Sequence, residues 1–181
     1  MREIELKIRV KDVKELVAKI ERSGAKFGQV LSQKDYVFTR GDQVGATGSV
    51  FVRIREEKID KISRNMFTLK KMVAGHGDKI ECETAIAKPE EMLRAIREMD
   101  FVPYVTVVKT RREAKIGDVE ICLDEVENLG SFVELEKVAK DDASHEDIVE
   151  ELWRFAENFG LSRKDLVDKG YDVLLKDKEE K

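Results

Sequence analysis

Cysteine, proline, histidine and tryptophan are all scarce in this chain, and each scarcity closes off a class of protein. The 181 residues hold 2 Cys, 2 Pro, 2 His and 1 Trp. Cys82 and Cys122 stand in strand-like stretches without C-x-x-C spacing, and His76 lies far from His145, so no zinc ligand set is in view. The thiols read as buried or sheltered free cysteines of a reducing compartment. No apolar run approaches the roughly 18–20 residues of a membrane span. The start, Met1-Arg2-Glu3-Ile4-Glu5, is charged from its second residue, so a secretory signal is not expected and a cytoplasmic location is. An excess of one charge is missing too: 34 Lys and Arg stand against 38 Asp and Glu, net −4, without the basic surplus of a nucleic-acid binder.

Charge of both signs is what the chain has in plenty. Charged residues make up 40% of it, far above the usual quarter. A hydrophobic fraction of 41% sets it apart from a disordered tail, and the surplus of Lys and Glu with so little proline leans towards a thermophilic source. The length suits one domain over residues 1–181, large enough to bury a core without staples.

Residues 2–10 alternate strictly between polar and apolar, which predicts a half-buried strand. Asp12 and Glu15 then open a helix with the stripe Val13, Leu16, Val17 and Ile20, ended by Gly24. Strands are predicted near 33–39, 49–56 and 65–72, with loops at 40–48 and 57–64. A second cycle begins with a strand at 79–87, a short helix after Pro89, and strands near 104–115, 117–124 and 131–138. Strand, helix and three strands thus occur twice. The last quarter reads as two helices. One is capped by Ser144, with a stripe of Ile148, Leu152, Phe155 and Phe159; the other carries Val167, Tyr171, Leu174 and Leu175. Trp153 is expected to pack outside the sheet. The class is α+β, with eight strands and about four helices.

The polar faces of these strands carry the functional signal. Glu3, Glu5, Lys7 and Arg9 share one face of the first strand, opposite Ile4, Leu6, Ile8 and Val10. Later strands present the i, i+2 pairs Arg53 with Arg55, Glu81 with Glu83, Lys109 with Arg111, and Glu134 with Glu136, while Glu120, Cys122 and Asp124 share one face of another. Residues i and i+2 lie about 6.5–7 Å apart on one face, so each pair is a patch of one sign. Like charges repel, and a surface needing only solubility has no reason to repeat them. A closed barrel would turn this face inward, where carboxylates suit Mg²⁺ or Mn²⁺ and Lys and Arg suit phosphate oxygens. Alternation alone leaves a closed tunnel and an open wet sheet equally open.

The ordered series resembles a known family. Glu3-Ile4-Glu5-Leu6-Lys7 matches the ExExK signature of the CYTH superfamily, the triphosphate tunnel metalloenzymes. It is followed by Arg53-Ile54-Arg55, Thr68-Leu69-Lys70, Glu81-Cys82-Glu83, Lys109-Thr110-Arg111, then Asp124 and the run Leu129 to Glu136. The resemblance implies an eight-stranded antiparallel β-barrel, a tunnel with helices packed outside, that binds a small triphosphate such as ATP or tripolyphosphate with Mg²⁺ or Mn²⁺. By position, Glu3, Glu5 and Lys7 would be catalytic. Lys7, Arg53, Arg55, Lys70, Lys109 and Arg111 would hold the phosphates. Glu3, Glu5, Asp124, Glu134 and Glu136 would serve the metal, and Glu81 and Glu83 would be further acidic tunnel residues.

Length and the Tyr-containing last helix resemble the class IV adenylyl cyclase branch most, although Gly170 stands where that branch usually has Ser. The implied reaction is ATP to cyclic AMP and pyrophosphate. The alternatives are hydrolysis of tripolyphosphate, thiamine triphosphate or a nucleoside triphosphate, and triphosphate binding without turnover. A homodimer is left open; membrane and nucleic-acid partners are not expected. The loop Gly41–Gly48 is rich in glycine but lacks the Lys-Ser/Thr of a phosphate-binding loop, and His76 reads as part of a hairpin turn. Loss of Arg55 is expected to spare the empty fold, since it opens no apolar cavity.

Overall fold

In the computed structural model, residues 2–41, 46–73, 77–140 and 142–180 are described. The period-two runs become eight strands: β1 (Arg2–Arg9), β2 (Leu31–Thr39), β3 (Val50–Ile59), β4 (Ile62–Met72), β5 (Asp78–Ala85), β6 (Val102–Ile116), β7 (Val119–Val126) and β8 (Gly130–Ala139). All neighbours are antiparallel, and the strands close into a barrel in the order β1-β5-β4-β3-β2-β6-β7-β8. The twofold repeat explains that order. The first strand of each half lies beside the last strand of the other, so neither half closes alone.

Four helices dress the barrel: α1 (Val13–Arg22), α2 (Pro89–Glu98), α3 (His145–Asn158) and α4 (Tyr171–Glu179). Asp12 caps α1 by accepting from the Glu15 amide at 2.9 Å, and Ser144 caps α3 through the Asp147 amide. The apolar faces of β1, β7 and β8 point outward under α1 and α3, where Ile4, Ile8, Ile121, Val133 and Leu135 meet Leu16, Ile20, Leu152 and Trp153. Each such side chain contributes about 1.5–3 kcal/mol by leaving water. On the other flank α2 sets Ile96 against Phe38, Val52 and Ile54. The Val37/Phe38 register shift, where β6 gains a residue, lies beside Pro103, a position where a strand tolerates the missing donor.

One seam is thin. β1 pairs with β5 only over Arg2–Ile4, whereas it pairs with β8 along its whole length. Beyond Ile4 the Gly77 carbonyl accepts from the Glu5 amide at 3.1 Å, and the segment before α4 takes over, with Val167 N–H donating to Lys7 O at 2.8 Å. Gly77 has φ +78°, and a Cβ there would fall 2.3 Å from the Glu5 carbonyl oxygen, so only glycine fits this approach.

Four local expectations change. Residues 57–64 form no open loop: β3 and β4 run on to a tight turn where Asp60 takes φ +51°. Val167 lies outside the last helix, tied to β1 through its amide, and that helix begins at Tyr171. The residues of α3 that are fully covered are Leu152, Trp153 and Ala156, while Ile148, Phe155 and Phe159 are half-buried at its margins. Cys82 points outward and is exposed; Cys122 is buried. Within the loops discussed above, residues 42–45 and 74–76, including His76, lie outside the described residues. No described helix is long and apolar enough to cross a membrane.

Candidate functional site

Because strand parity sends one face of every strand inward, the charged series meet in a single lumen, a cavity of about 350 Å³. Its lining includes Glu3, Glu5, Lys7, Arg53, Arg55, Lys70, Glu81, Glu83, Lys109, Arg111, Glu134 and Glu136. Every residue named for the site from sequence is therefore brought to one space except Asp124, which sits behind the cations. Among the lining residues seven are Lys or Arg and nine are Asp or Glu.

The β1–β8 register places Glu5 opposite Glu136 and Lys7 opposite Glu134. Carboxylate oxygens of Glu5, Glu134 and Glu136 come within 4.8 Å of one another. Burial opposes ionisation at all three, and the cations decide the outcome. At Glu5, Lys79 and Lys7 outweigh burial and bring the pKa down to about 2. At Glu134, burial is likewise outweighed, by Lys7 and Arg111, so the group stays well below the carboxylate range. At Glu136, burial prevails over Arg111, reinforced by the charges of Glu134 and Glu5, and the pKa rises to about 8. Three clustered carboxylates, one of them starved of positive charge, form the oxygen donor set a hard divalent cation takes. Glu3 lies at the rim of this group; burial and the neighbouring Glu81 push its pKa up.

In the ring order β3 stands directly across from β8, and it carries Arg53 and Arg55, two of the three arginines that line the lumen. Arg55 holds Asp35 with two hydrogen bonds of 2.7 Å. Arg53 reaches Thr68 at 3.0 Å and Glu83 at 3.3 Å, while its buried Nε has no hydrogen-bond partner. On β6, Lys109 and Arg111 share Asp124, and Arg111 also reaches Glu134. Burial and the adjacent Arg111 draw the Lys109 pKa down despite Asp124. Lys70 pairs with Glu81, and its pKa is also lowered by burial and by Lys79. Asp124 is thus taken up by its two cations and by Tyr171, whose hydroxyl donates to it at 3.0 Å. Lys7 and Lys109 sit 4.5 and 5.0 Å from the centre of the Tyr171 ring.

Lys79 and Asp35 were missed from sequence. Lys79 donates to Glu5 at 2.7 Å and lies on the same parity as Glu81 and Glu83, a signal present at the first residue of the strand predicted over 79–87. Asp35 stands between Lys34 and Tyr36, where both faces look polar and parity is silent.

Comparison with known proteins adds the following. The family model of the CYTH domain matches residues 1–171. A protein of Methanocaldococcus jannaschii named "Putative adenylate cyclase MJ0240" is 28% identical over 182 residues, covering 94% of this chain and 97% of its own. The solved structure of the PH1819 protein from Pyrococcus horikoshii superposes with a TM-score of 0.82 at 24% identity, over 97% of this chain and 99% of that one. A protein from Hippeastrum superposes with a TM-score of 0.62 at 18% identity, over 99% and 96%. It was described as a putative adenylyl cyclase with a dominant triphosphatase activity.

Proposed function

The chain belongs to the CYTH domain family, and on that premise we propose that it is a divalent-metal-dependent enzyme acting on the phosphate chain of a small triphosphate. The observation that carries this reading is the division of the lumen: a carboxylate triad on β1 and β8 faces arginines on β3 across the barrel. The lining holds two more acids than bases, so a polyanion entering alone would meet no net attraction. With a cation at the triad, the same lumen becomes complementary to a triphosphate.

Glu5, Glu134 and Glu136 would hold Mg²⁺ or Mn²⁺, with Glu3 at the margin. The ion supplies charge neutralisation and polarisation of a phosphoryl oxygen. Arg53 offers its unpaired Nε to a phosphate oxygen, and Arg55, Lys70, Lys109 and Arg111 line the remaining path. Lys7, between Glu5 and Glu134, is placed to donate from the metal side. Asp124 acts through Lys109 and Arg111 by fixing their heads, and Glu81 and Glu83 do the same for Lys70 and Arg53. What such a site does is align a nucleophile with phosphorus and stabilise the charge that develops on the phosphates.

The finer reading is a class IV adenylyl cyclase: the ribose 3′-hydroxyl attacks the α-phosphorus and pyrophosphate leaves. Hydrolysis at the terminal phosphorus, with release of orthophosphate, is the alternative, and the barrel itself is compatible with both. Incubation with ATP and with tripolyphosphate, each with Mg²⁺ or Mn²⁺, tests this. Cyclic AMP with pyrophosphate supports the cyclase, and orthophosphate from either substrate supports the triphosphatase. Absence of product from both, with metal present, would overturn the enzymatic reading.

A further inference from the structure

The three carboxylates of the triad are supplied with positive charge unequally. Glu134 is met by Lys7 at 3.2 Å and by Arg111. Glu136 has one ion pair among the described residues, with Arg111 at 4.0 Å. At Glu5 each oxygen faces an ammonium: Oε1 faces Lys7 at 3.4 Å, and Oε2 accepts from Lys79 at 2.7 Å. The shorter of these contacts thus comes from Lys79, and it engages a carboxylate that a divalent cation at the triad would have to share.

The two lysines are held differently. Lys7 also touches Glu134, the Tyr171 ring at 4.5 Å and the Lys169 carbonyl at 3.4 Å, so it keeps partners if Glu5 turns away. Besides Glu5, Lys79 has only Glu81 among the described residues, at 3.8 Å, and that carboxylate already accepts from Lys70. Lys79 is 8% exposed and lines the lumen. A buried cation is costly to leave without its main partner, so it follows whatever anion comes within reach. Lysine suits such a move, because its compact charge sits on a flexible four-carbon stem. Arg55, by contrast, is fixed by its two-pronged contact with Asp35.

We propose that Lys79 is the resident counter-ion of the metal-free triad: its ammonium holds Glu5 until a divalent cation takes that carboxylate, and it then turns to the phosphate chain. This rests on the metal and triphosphate reading of the lumen and adds a coupling between the two ligands. A cation arriving alone must displace Lys79 and leave it unpaired, which weakens its binding. A cation arriving with a triphosphate hands the same ammonium a new partner, so each ligand strengthens the binding of the other.

The test is Mn²⁺ binding, read from the electron paramagnetic resonance of the free ion, to metal-free wild type, Lys79→Met and Lys79→Arg. Lys70→Met controls for the loss of a lumen charge alone, since Lys70 pairs with Glu81 rather than with the triad. The hydrolysis-resistant imido analogue of tripolyphosphate is then titrated calorimetrically into each protein with Mn²⁺ in excess. Melting curves accompany the variants, and Lys79→Gln replaces the methionine if that variant is unfolded. The two effects of Lys79→Met should have opposite signs: Mn²⁺ alone binds about tenfold tighter, and the analogue about tenfold more weakly, the scale of one charge-assisted hydrogen bond. Lys70→Met should tighten Mn²⁺ by no more than about threefold, and Lys79→Arg, which keeps the charge, should show no gain. If Lys79→Met weakens both ligands along with Tm, its role is structural and the proposal falls. It also falls if Lys70→Met tightens Mn²⁺ equally, or if the analogue binds Lys79→Met as it binds wild type; the reading of the lumen survives all three results. A wild type that binds neither Mn²⁺ nor the analogue would overturn both.

Discussion

An Arg55→Ala substitution would leave the Asp35 carboxylate, 4% exposed, without the two 2.7 Å hydrogen bonds that now satisfy it. The nearest remaining cation is Arg53, 3.5 Å away. Removing one partner of a buried ion pair costs about 3–5 kcal/mol, because the other charge stays desolvated; with Arg53 in place we expect about 2–4 kcal/mol. For a chain of this size that lowers Tm by roughly 5–15 °C. The expectation from sequence that the empty fold would tolerate this loss is therefore revised: the cost is an orphaned charge, not a cavity. Arg55→Lys keeps the charge but offers no planar fork to both oxygens, and should cost about 1–2 kcal/mol.

The pH dependence has a definite sign. Burial opposes ionisation of Asp35, but Arg53 and Arg55 outweigh it and hold its pKa below the usual value of 3.8. In the wild type this stabilisation is full above 3.8 and fades as pH falls through the lower folded value. Without Arg55 the folded pKa rises, so the deficit should be largest at neutral pH and shrink towards pH 4, where a protonated Asp35 no longer needs a guanidinium. Melting curves of the metal-free proteins from pH 4 to 8 measure this, and Asp35→Leu/Arg55→Met, which removes the pair as a unit, should recover most of the loss. An alanine variant that melts within about 2 °C of wild type at neutral pH would refute the reasoning. In the same samples tripolyphosphate binding with metal should weaken by about 2–5 kcal/mol if Arg55 also donates to phosphate.

Three further outcomes are expected. Glu136→Gln should abolish metal-dependent turnover yet raise Tm, with the gain growing from pH 4.5 to about 8, because folding raises the Glu136 pKa and the cost of ionising it accrues over that window; an unchanged Tm at pH 8 would contradict this. Binding of Mg²⁺ to the wild type at pH 7 should release close to one proton, read as a buffer-dependent heat in calorimetry, and Glu136→Gln should lose that dependence. Tyr171→Phe keeps the ring beside Lys7 and Lys109 and drops only the Asp124 hydrogen bond, so it should cost about 0.5–1.5 kcal/mol, whereas Tyr171→Leu should lower triphosphate affinity further; equal affinities for the two would remove the ring from the account.

What could be read from sequence follows the arithmetic of the pleat. A strand that alternates cleanly reports its inward face whatever it packs against, so Glu3, Glu5 and Lys7, or Lys109 and Arg111, were legible without a partner in view. Alternation could not say whether that face was wet or enclosed, because closure depends on the first strand of each half reaching the last strand of the other, a long-range pairing with no local signature. Asp35 shows the second limit. With Lys34 before it and Tyr36 after it, its strand offers no contrast between faces, and only the register with Arg55 reveals that it faces inward.

Tyr171 shows a third limit, and it bears on how the site is built. Nothing local marks a tyrosine at the first position of a helix as part of a barrel lumen. Its place follows from the thin β1–β5 seam. β5 leaves β1 after Ile4, the segment before α4 fills the gap along β1, and Val167 donates to the Lys7 carbonyl. That docking delivers Tyr171 four residues later to the same lysine's ammonium group, 4.5 Å from its ring. Gly77 permits the arrangement by letting the β4–β5 turn come against the Glu5 carbonyl. Gly77→Ala would push a Cβ into that oxygen and strain a left-handed φ, displacing the backbone of a triad carboxylate although no lumen side chain is altered. Its effect should appear as weaker Mg²⁺ binding together with a lower Tm; a variant that keeps wild-type metal affinity would mean that the seam does not position Glu5.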